Sequence, residues 1–181
     1  MAVGLLISEG PIGLRHPREA DRAEWVALKR ASAEHLAAWS PIQDEGDDLD
    51  AQFDRVIDGP DTDTTQRHLI VRDGAIVGMV GLTQIFRRSF CNAILGYWMG
   101  AAHANRGIGT VGVRLAVRRA FEQLGLHRVE ANVMPGNVPS IRLVRSLGFR
   151  FEGYSPRYLQ IAGVWEDHTR WAITEEDWDA G

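Results

Sequence analysis

The chain has 181 residues, of which 45% are apolar and 24% charged, and its net charge is −4. This is the length of one domain, read as residues 1–181, and the balance of an ordinary globular protein, which excludes a collagen-like or disordered chain. The weak negative charge excludes a broad nucleic-acid surface and suits a cationic acceptor such as an amine.

In chain order, Met1–Gly13 carries a short apolar patch without a basic leader or cleavage site and does not read as a signal peptide. Leu5–Leu14 reads as an irregular entry and a first strand. His16-Pro17 then opens a helical pattern, with Trp25, Leu28 and Leu36 at roughly helical spacing and Pro41 as its stop. The acidic stretch Asp44–Asp50 leads into a shorter helix, Leu49–Ile57, ended by Gly59-Pro60, and Asp61–Gln66 is a polar loop. Arg67–Arg72 and Ala75–Thr83 flank Asp73-Gly74, a dipeptide that favours positive φ, and so predict a hairpin. The longest nearly continuous apolar run, Ala75–Leu82, falls far short of the ~20 residues of a membrane-spanning helix. A soluble, cytoplasmic protein is expected, with no membrane partner.

Cys91 is the only cysteine, which excludes an intrachain disulfide and a multi-cysteine metal site and fits a reducing compartment. It reads as a small buried hydrophobe rather than a covalent catalyst. No metal site is expected. Ala93–Met99 is another apolar strand. Between Gly107 and Leu124 the pattern turns helical: Val113, Val117, Phe121 and Leu124 form a stripe, with Arg114, Arg118, Arg119 and Glu122 largely outside it, and Gly125 caps the end. His127–Val133 reads as a strand and Asn137–Leu147 as a short helix closed by Gly148. Phe149–Gly153 and Tyr158–Thr174 complete the sheet, the latter as a bent strand or a hairpin around Gly163. The order of elements predicts a mixed α/β (α+β) domain with one central sheet.

The junction Asn105-Arg106-Gly107-Ile108-Gly109-Thr110 joins a strand to a long helix. Its glycines let the backbone approach a ligand, and the first helical N–H groups favour an anion, so a pyrophosphate fits there. A plain packing turn reads the same residues equally well. The loop lacks the Gly-Lys-Ser/Thr ending of a Walker loop and the full spacing of a dinucleotide loop.

Further segments narrow the choice. Gly96-Tyr97-Trp98-Met99-Gly100, Arg106-Gly107-Ile108-Gly109, Asn137-x-x-Ser140 and Leu147-Gly148-Phe149 occur in order at compatible distances. Together they resemble the GNAT superfamily of N-acetyltransferases. Phe90–Tyr97, Ala131-Asn132-x-Met134-Pro135-x-Asn137, Trp165-x-Asp167-His168 and His35-Leu36-x-x-Trp39-x-Pro41 are similar to the RimJ/RimL type of ribosomal-protein-alanine acetyltransferase. The resemblance spans about Leu14 to Trp178. It implies a GNAT fold, with one central, mostly antiparallel mixed sheet flanked by helices and a fourth strand that splays from the fifth to admit the pantetheine of acetyl-CoA. Trp98 and Met99 would offer backbone groups to the pantetheine, the amides of Arg106, Gly107, Ile108, Gly109 and Thr110 would hold the pyrophosphate, and Asn137 would touch the cofactor. Arg145 would reach a phosphate or stand as a solvated helix charge. The superfamily loop often begins with Gln or Arg where Ala104 stands here, which puts one side-chain contact in doubt.

Acetyl transfer needs a neutral amine, a donor to the thioester oxygen and a partner for the departing thiolate. A free α-amine, with a pKa of about 7.7–8.0, needs only a weak base near neutral pH. The amide of Met99 is the expected oxyanion donor. Many GNAT enzymes carry a Tyr seven residues after the helix-opening Asn, where this chain has Val144. Ser140 occupies the position of a sulfur-contacting serine in the RimJ/RimL branch and is the candidate donor to the thiolate, with helix capping as its alternative reading. Candidate bases are Glu130 and His168, the latter because an imidazole has an unperturbed pKa near 6.5. Asp167 and His168 point to opposite faces of one strand, so only one of them lines the pocket directly. Trp39 and Asp167 are candidate acceptor contacts, and the acidic run Asp44–Asp48 either borders the acceptor groove or is simply solvated.

Three readings follow. The first is acetyl transfer from acetyl-CoA to a protein N-terminal α-amine, ribosomal by resemblance, by direct attack in a ternary complex. The second exchanges the acceptor for a small amine, and the third is a non-catalytic acyl-CoA-binding protein. A monomer or a homodimer is compatible with each.

Overall fold

The computed structural model describes residues 4–40, 48–59 and 61–179. The stops expected at Pro41 and Pro60, and residues 44–47 of the acidic stretch, lie outside the described residues. Two short strands open the chain, β1 (Leu5–Glu9) and β2 (Ile12–Arg15), where one strand was expected. The helical pattern that follows is divided into α1 (Arg22–Ala31) and α2 (Ala33–Ala37). The break falls at Ser32, whose buried Oγ accepts the Ala101 N–H at 3.0 Å. A serine in that place satisfies a backbone donor from a distant loop instead of continuing the helix.

After α3 (Leu49–Ile57) come β3 (Gln66–Arg72) and β4 (Ala75–Phe86), joined by the expected turn, with Asp73 at φ 51° and Gly74 at φ 89°. The chain continues through β5 (Asn92–Met99), α4 (Ile108–Glu122), β6 (Arg128–Val133), α5 (Val138–Ser146), β7 (Arg150–Ile161), β8 (Val164–Thr174) and α6 (Glu175–Asp179). Strand β7 runs without a gap where a break between Gly153 and Tyr158 was expected. It absorbs that segment as register shifts against β8, with Arg157 at φ 47°. Ala162-Gly163 turns the hairpin.

The eight strands form one sheet in the order β1-β2-β3-β4-β5-β6-β8-β7. Every neighbouring pair is antiparallel except β5 with β6. A parallel pair needs a crossover, and α4 supplies it. Alternation along the strands gives the sheet two buried faces. On one face, Leu69 and Val71 pack with Trp25, Val26, Phe53 and Val56 of α1 and α3. On the other, Ile70, Val80, Leu82 and Leu95 meet Val113, Leu115 and Val117 of α4 and Val144 of α5. Helix α4 comes so close to β3 that a Cβ on Gly112 would stand 2.7 Å from Ile70 Cδ1. Arg119, expected outside the apolar stripe, is 8% exposed. Its guanidinium donates to Gln66 Oε1 at 3.1 Å and faces Asp61 at 3.6 Å, and these partners permit its burial. Among the described residues no helix is long and apolar enough to cross a membrane.

Candidate active site

The parallel ladder of β5 and β6 runs from Asn92–Arg128 to Leu95–Ala131 and stops. Beyond it β5 continues to Met99 on β4 and β6 continues to Val133 on β8, so the two strands part. These are the strands expected to splay, counted fifth and sixth because the N-terminal segment folds as two strands. Gly100 N donates to Val77 O on the β4 side at 2.9 Å. Backbone groups of successive strand residues alternate sides, so the amides of Met99 and Tyr97 point into the parting. Trp98 turns its backbone to β4 and its side chain to the cleft.

A cleft of about 1150 Å³ runs through this parting. On one side stand Gly107, Gly109 and Thr110 of the glycine loop. Gly107 caps α4 at φ 76°, ψ −13°, a conformation that glycine adopts without a Cβ clash. The first bond of the helix is Val111 N to Gly107 O at 3.2 Å. The amides of Ile108, Gly109 and Thr110 precede it and have no acceptor within the helix, at the positive end of its dipole. Arg106 is exposed and Ile108 is buried, so both lie outside the lining and only their main chains belong to the loop.

Helix α5 supplies the next wall. Asn137 Oδ1 accepts the Ser140 N–H at 3.2 Å and caps the helix. Ser140 Oγ meets the Tyr97 hydroxyl at 2.5 Å, so its own hydroxyl is turned to the parted strand and not to local backbone. Burial pushes the Tyr97 phenol up to about 12, against the opposing effect of the Ser140 hydrogen bond. Pro139, Arg142, Leu143 and Ser146 share the helix face that lines the cleft, at spacings of three and four. Arg145 is on the exposed side, and Val144 is fully buried in the core.

Of the remaining candidates, Glu130, His168 and Asp167 lie outside the cleft lining. Trp39 lines the cleft, and a Cβ on Gly136 would stand 3.8 Å from its ring. Glu130 is 7% exposed, held by Arg128 Nε at 3.0 Å and an Arg170 guanidinium nitrogen at 3.1 Å. His168 is buried, with its ring 5.5 Å from that of Tyr158. Its Nδ1 lies 3.1 Å from the Glu166 carbonyl oxygen. A carbonyl only accepts, so Nδ1 carries the proton and Nε2 keeps its lone pair in the neutral ring. The register puts Ile94, Glu130, Asn132, His168 and Arg170 on the face that α1 and α3 cover. Asp167 points to the other face. It accepts the Arg157 N–H at 2.7 Å and the Tyr154 hydroxyl, which hold its carboxyl below the ordinary range and pin the bend of β7. Cys91 Sγ donates to Gly125 O at 3.2 Å and lies outside the cleft lining.

Sequence reasoning missed Tyr97, Arg142, Lys29, Arg67 and Gln52, all of which line the cleft. For Arg142 a signal existed: it follows Pro139 by three residues and therefore shares its face. The others depend on which helix covers which strand. Among the described residues no group of three His, Cys, Asp or Glu could hold a metal ion.

A parallel pair parted beyond its fourth rung, with free helix amides at its mouth, is the arrangement of an acetyltransferase (GNAT) domain, and the pattern of that family matches residues 12–150. The chain belongs to the GNAT acetyltransferase family. It is 45% identical over 105 residues to the probable N-acetyltransferase YjcK of Bacillus subtilis (strain 168), a stretch covering 58% of each chain. Over 106 residues, 59% of this chain and 55% of the relative, it is 37% identical to the [ribosomal protein uS5]-alanine N-acetyltransferase of Escherichia coli (strain K12). The chain thus spans little more than half the length of these curated relatives. The solved structure of Mycobacterium smegmatis RimJ in complex with CoA-disulfide superposes with a TM-score of 0.85 at 31% identity, over 92% of this chain and 83% of that one.

Proposed function

We propose that this protein, acting as one domain over residues 1–181, transfers the acetyl group of acetyl-CoA to a protein N-terminal α-amine by direct attack in a ternary complex. One observation carries the reading: the β5–β6 ladder ends at Leu95–Ala131 beside the unpaired amides of Ile108, Gly109 and Thr110. An extended, amide-rich pantetheine fits the open strand edge, and a pyrophosphate fits the helix start. The alanine N-acetyltransferase relative and the RimJ structure support an α-amine as acceptor.

Acetyl-CoA supplies the activated acetyl group. The amides of Arg106–Thr110 hold its pyrophosphate, with Arg142 a nearer candidate for a phosphate than Arg145, and Asn137 fixes the first turn of α5. The Met99 amide, pointing into the parting, donates to the thioester oxygen as it gains charge. Ser140 donates a hydrogen bond to the departing thiolate, and Tyr97 orients Ser140. A phenol near 12 holds its proton more tightly than a thiol of about 8.5, so this pair stabilises the thiolate without protonating it. The proton that the thiolate finally takes is the one shed by the acceptor nitrogen. Neither Glu130 nor His168 lines the cleft, and an α-amine with a pKa of about 7.7–8.0 is partly neutral near pH 7, so it sheds that proton to water rather than to a dedicated side chain. Trp39 borders the acceptor. The chemistry suits a reduced, cytoplasmic protein.

The test is thiol release from acetyl-CoA with an alanine-first peptide, with mass spectrometry of the product. An added 42 Da (about, for one acetyl group) on the α-amine is expected. Thiol release with no peptide, or none with any amine while coenzyme A still binds, overturns the proposal in favour of a hydrolase or a non-catalytic binder.

A further inference from the structure

Among the described residues, two cations on the acceptor side of the cleft, Lys29 and Arg67, stand without a carboxylate beside them. The protein has 24 Asp and Glu against 20 Lys and Arg. Yet among the described residues the lining includes Lys29, Arg67 and Arg142 and no acid. Arg142 belongs to the α5 side. Lys29 on α1 and Arg67 on β3 belong to the opposite face, where an acceptor must approach. Elsewhere the half-buried arginines are matched: Arg15 meets Asp21, Arg119 meets Asp61, and Arg128 and Arg170 meet Glu130. Among the described residues neither Lys29 nor Arg67 meets a carboxylate.

The surroundings of these two cations are built for a ligand. Lys29 Nζ lies 4.6 Å from the centre of the Trp98 ring and 5.6 Å from that of Trp25. Ring faces attract an ammonium but leave its N–H donors unspent. Burial holds the Lys29 ammonium below its ordinary range, and an anion brought beside it restores the charged form. Arg67 shares a row of the sheet with Gly81 and Gly96. A Cβ on Gly81 would stand 4.0 Å from Arg67 Cγ, and one on Gly96 would meet nothing within 4 Å, so the row between Arg67 and the parting is open.

Building on the acyl-transfer reading above, we propose that the acceptor is an amino-carboxylate: it carries a negatively charged carboxylate close to the reacting amine. Lys29 and Arg67 hold the carboxylate. The same cations lower the pKa of the nearby ammonium by like-charge repulsion, which raises the fraction of neutral nucleophile. A polyamine or a lysine-rich tail is repelled by them. The carboxylate has two sources, an Asp or Glu side chain just after the N-terminal residue of a protein, or the α-carboxylate of a small amino acid.

The experiment compares kcat/KM for alanine-first peptides identical except for Glu, Gln or Lys at the second and third positions, together with free amino acids and spermidine. The Glu peptide is expected to exceed its Gln counterpart by about tenfold or more, the effect of one charge-assisted contact. Lys29→Met and Arg67→Gln, checked for folding by thermal melting, are each expected to shrink that ratio towards one. A parallel titration needs no turnover: with coenzyme A present, the Glu peptide should perturb tryptophan fluorescence at lower concentration than the Gln peptide. Equal use of the Glu and Gln peptides overturns the amino-carboxylate proposal and leaves the N-terminal acetyltransferase reading standing. Acetylation of free amino acids with no peptide acetylated overturns the protein acceptor and upholds the carboxylate site. Preference for spermidine or the Lys peptide, or equal fluorescence titrations where nothing turns over, overturns the proposal outright.

Discussion

The Tyr97 and Ser140 hydroxyls stand 2.5 Å apart and tie the parted strand β5 to the first turn of α5. The bond crosses the mouth of the cleft where the sulfur of the proposed cofactor would lie. Each hydroxyl has one proton, so a chain from Tyr97 through Ser140 leaves the serine proton free for a third group.

Removing either hydroxyl should therefore slow turnover without loosening the cofactor. Ser140→Ala is expected to lower kcat by about ten- to a hundredfold, and Tyr97→Phe by somewhat less. The dissociation constant of coenzyme A should stay within about threefold, because neither group holds a phosphate. The double variant should be no slower than Ser140→Ala, since the two act as one unit. Steady-state kinetics with calorimetry checks all three statements, and full activity in Ser140→Ala removes the thiolate assignment.

Gly107 and Gly125 allow backbone strain to be separated from ligand contact. Both have positive φ, 76° and 60°, and neither has a neighbour within 4 Å of an added Cβ. Valine at either position should cost about 1–2 kcal/mol of stability through the left-handed backbone. Only Gly107→Val should weaken coenzyme A binding, by about tenfold or more, because only it redirects the amides at the start of α4. Calorimetry beside urea unfolding reads both quantities.

His68 should make stability depend on pH. Burial, helped by the Arg119 and His16 charges, lowers its pKa to about 3 from 6.5, and among the described residues neither ring nitrogen has a hydrogen-bond partner. As the pH falls below 6.5 the unfolded chain takes up a proton that the folded chain refuses until about pH 3. This contribution is therefore complete above 6.5 and lost progressively below it. Between pH 8 and pH 5 wild type should lose about 2 kcal/mol more than His68→Leu, as measured by urea unfolding.

Glu130 and Glu152 both bind Arg128, at very different depth. The Glu130 side chain is 9% exposed and bridges two arginines, whereas that of Glu152 is 33% exposed. Glu130→Ala should cost about 2 kcal/mol, because two charge-assisted hydrogen bonds of a buried carboxylate are lost while Arg128 keeps Glu152 and Arg170 is part-exposed. Glu152→Ala should cost about 1 kcal/mol or less. Chemical denaturation at neutral pH measures the difference.

The elements that carried their own punctuation were legible in the sequence. Asp73-Gly74 marked its hairpin, Gly107 and Gly125 marked the ends of α4, and Asn137 marked the start of α5. These are local backbone requirements, and a single residue can state them. Ser32 showed no such mark, because its role is to accept a hydrogen bond from Ala101, sixty-nine residues away. Arg157 in β7 was equally silent, since its positive φ is held by Asp167 on the neighbouring strand. The glycine loop at the start of α4 could be read from its residues, but Lys29, Arg67 and Gln52 come to one cleft only through the packing of α1 and α3 on the sheet.

The early end of the β5–β6 ladder reaches beyond the site. From Gly96 onward β5 has a neighbour on only one side, in the middle of a sheet whose other strands are paired. Such an edge accepts any extended backbone, including that of another molecule of the same protein. A pantetheine bound as proposed would fill that side of β5, so coenzyme A would steady the fold itself as well as carry the acyl group.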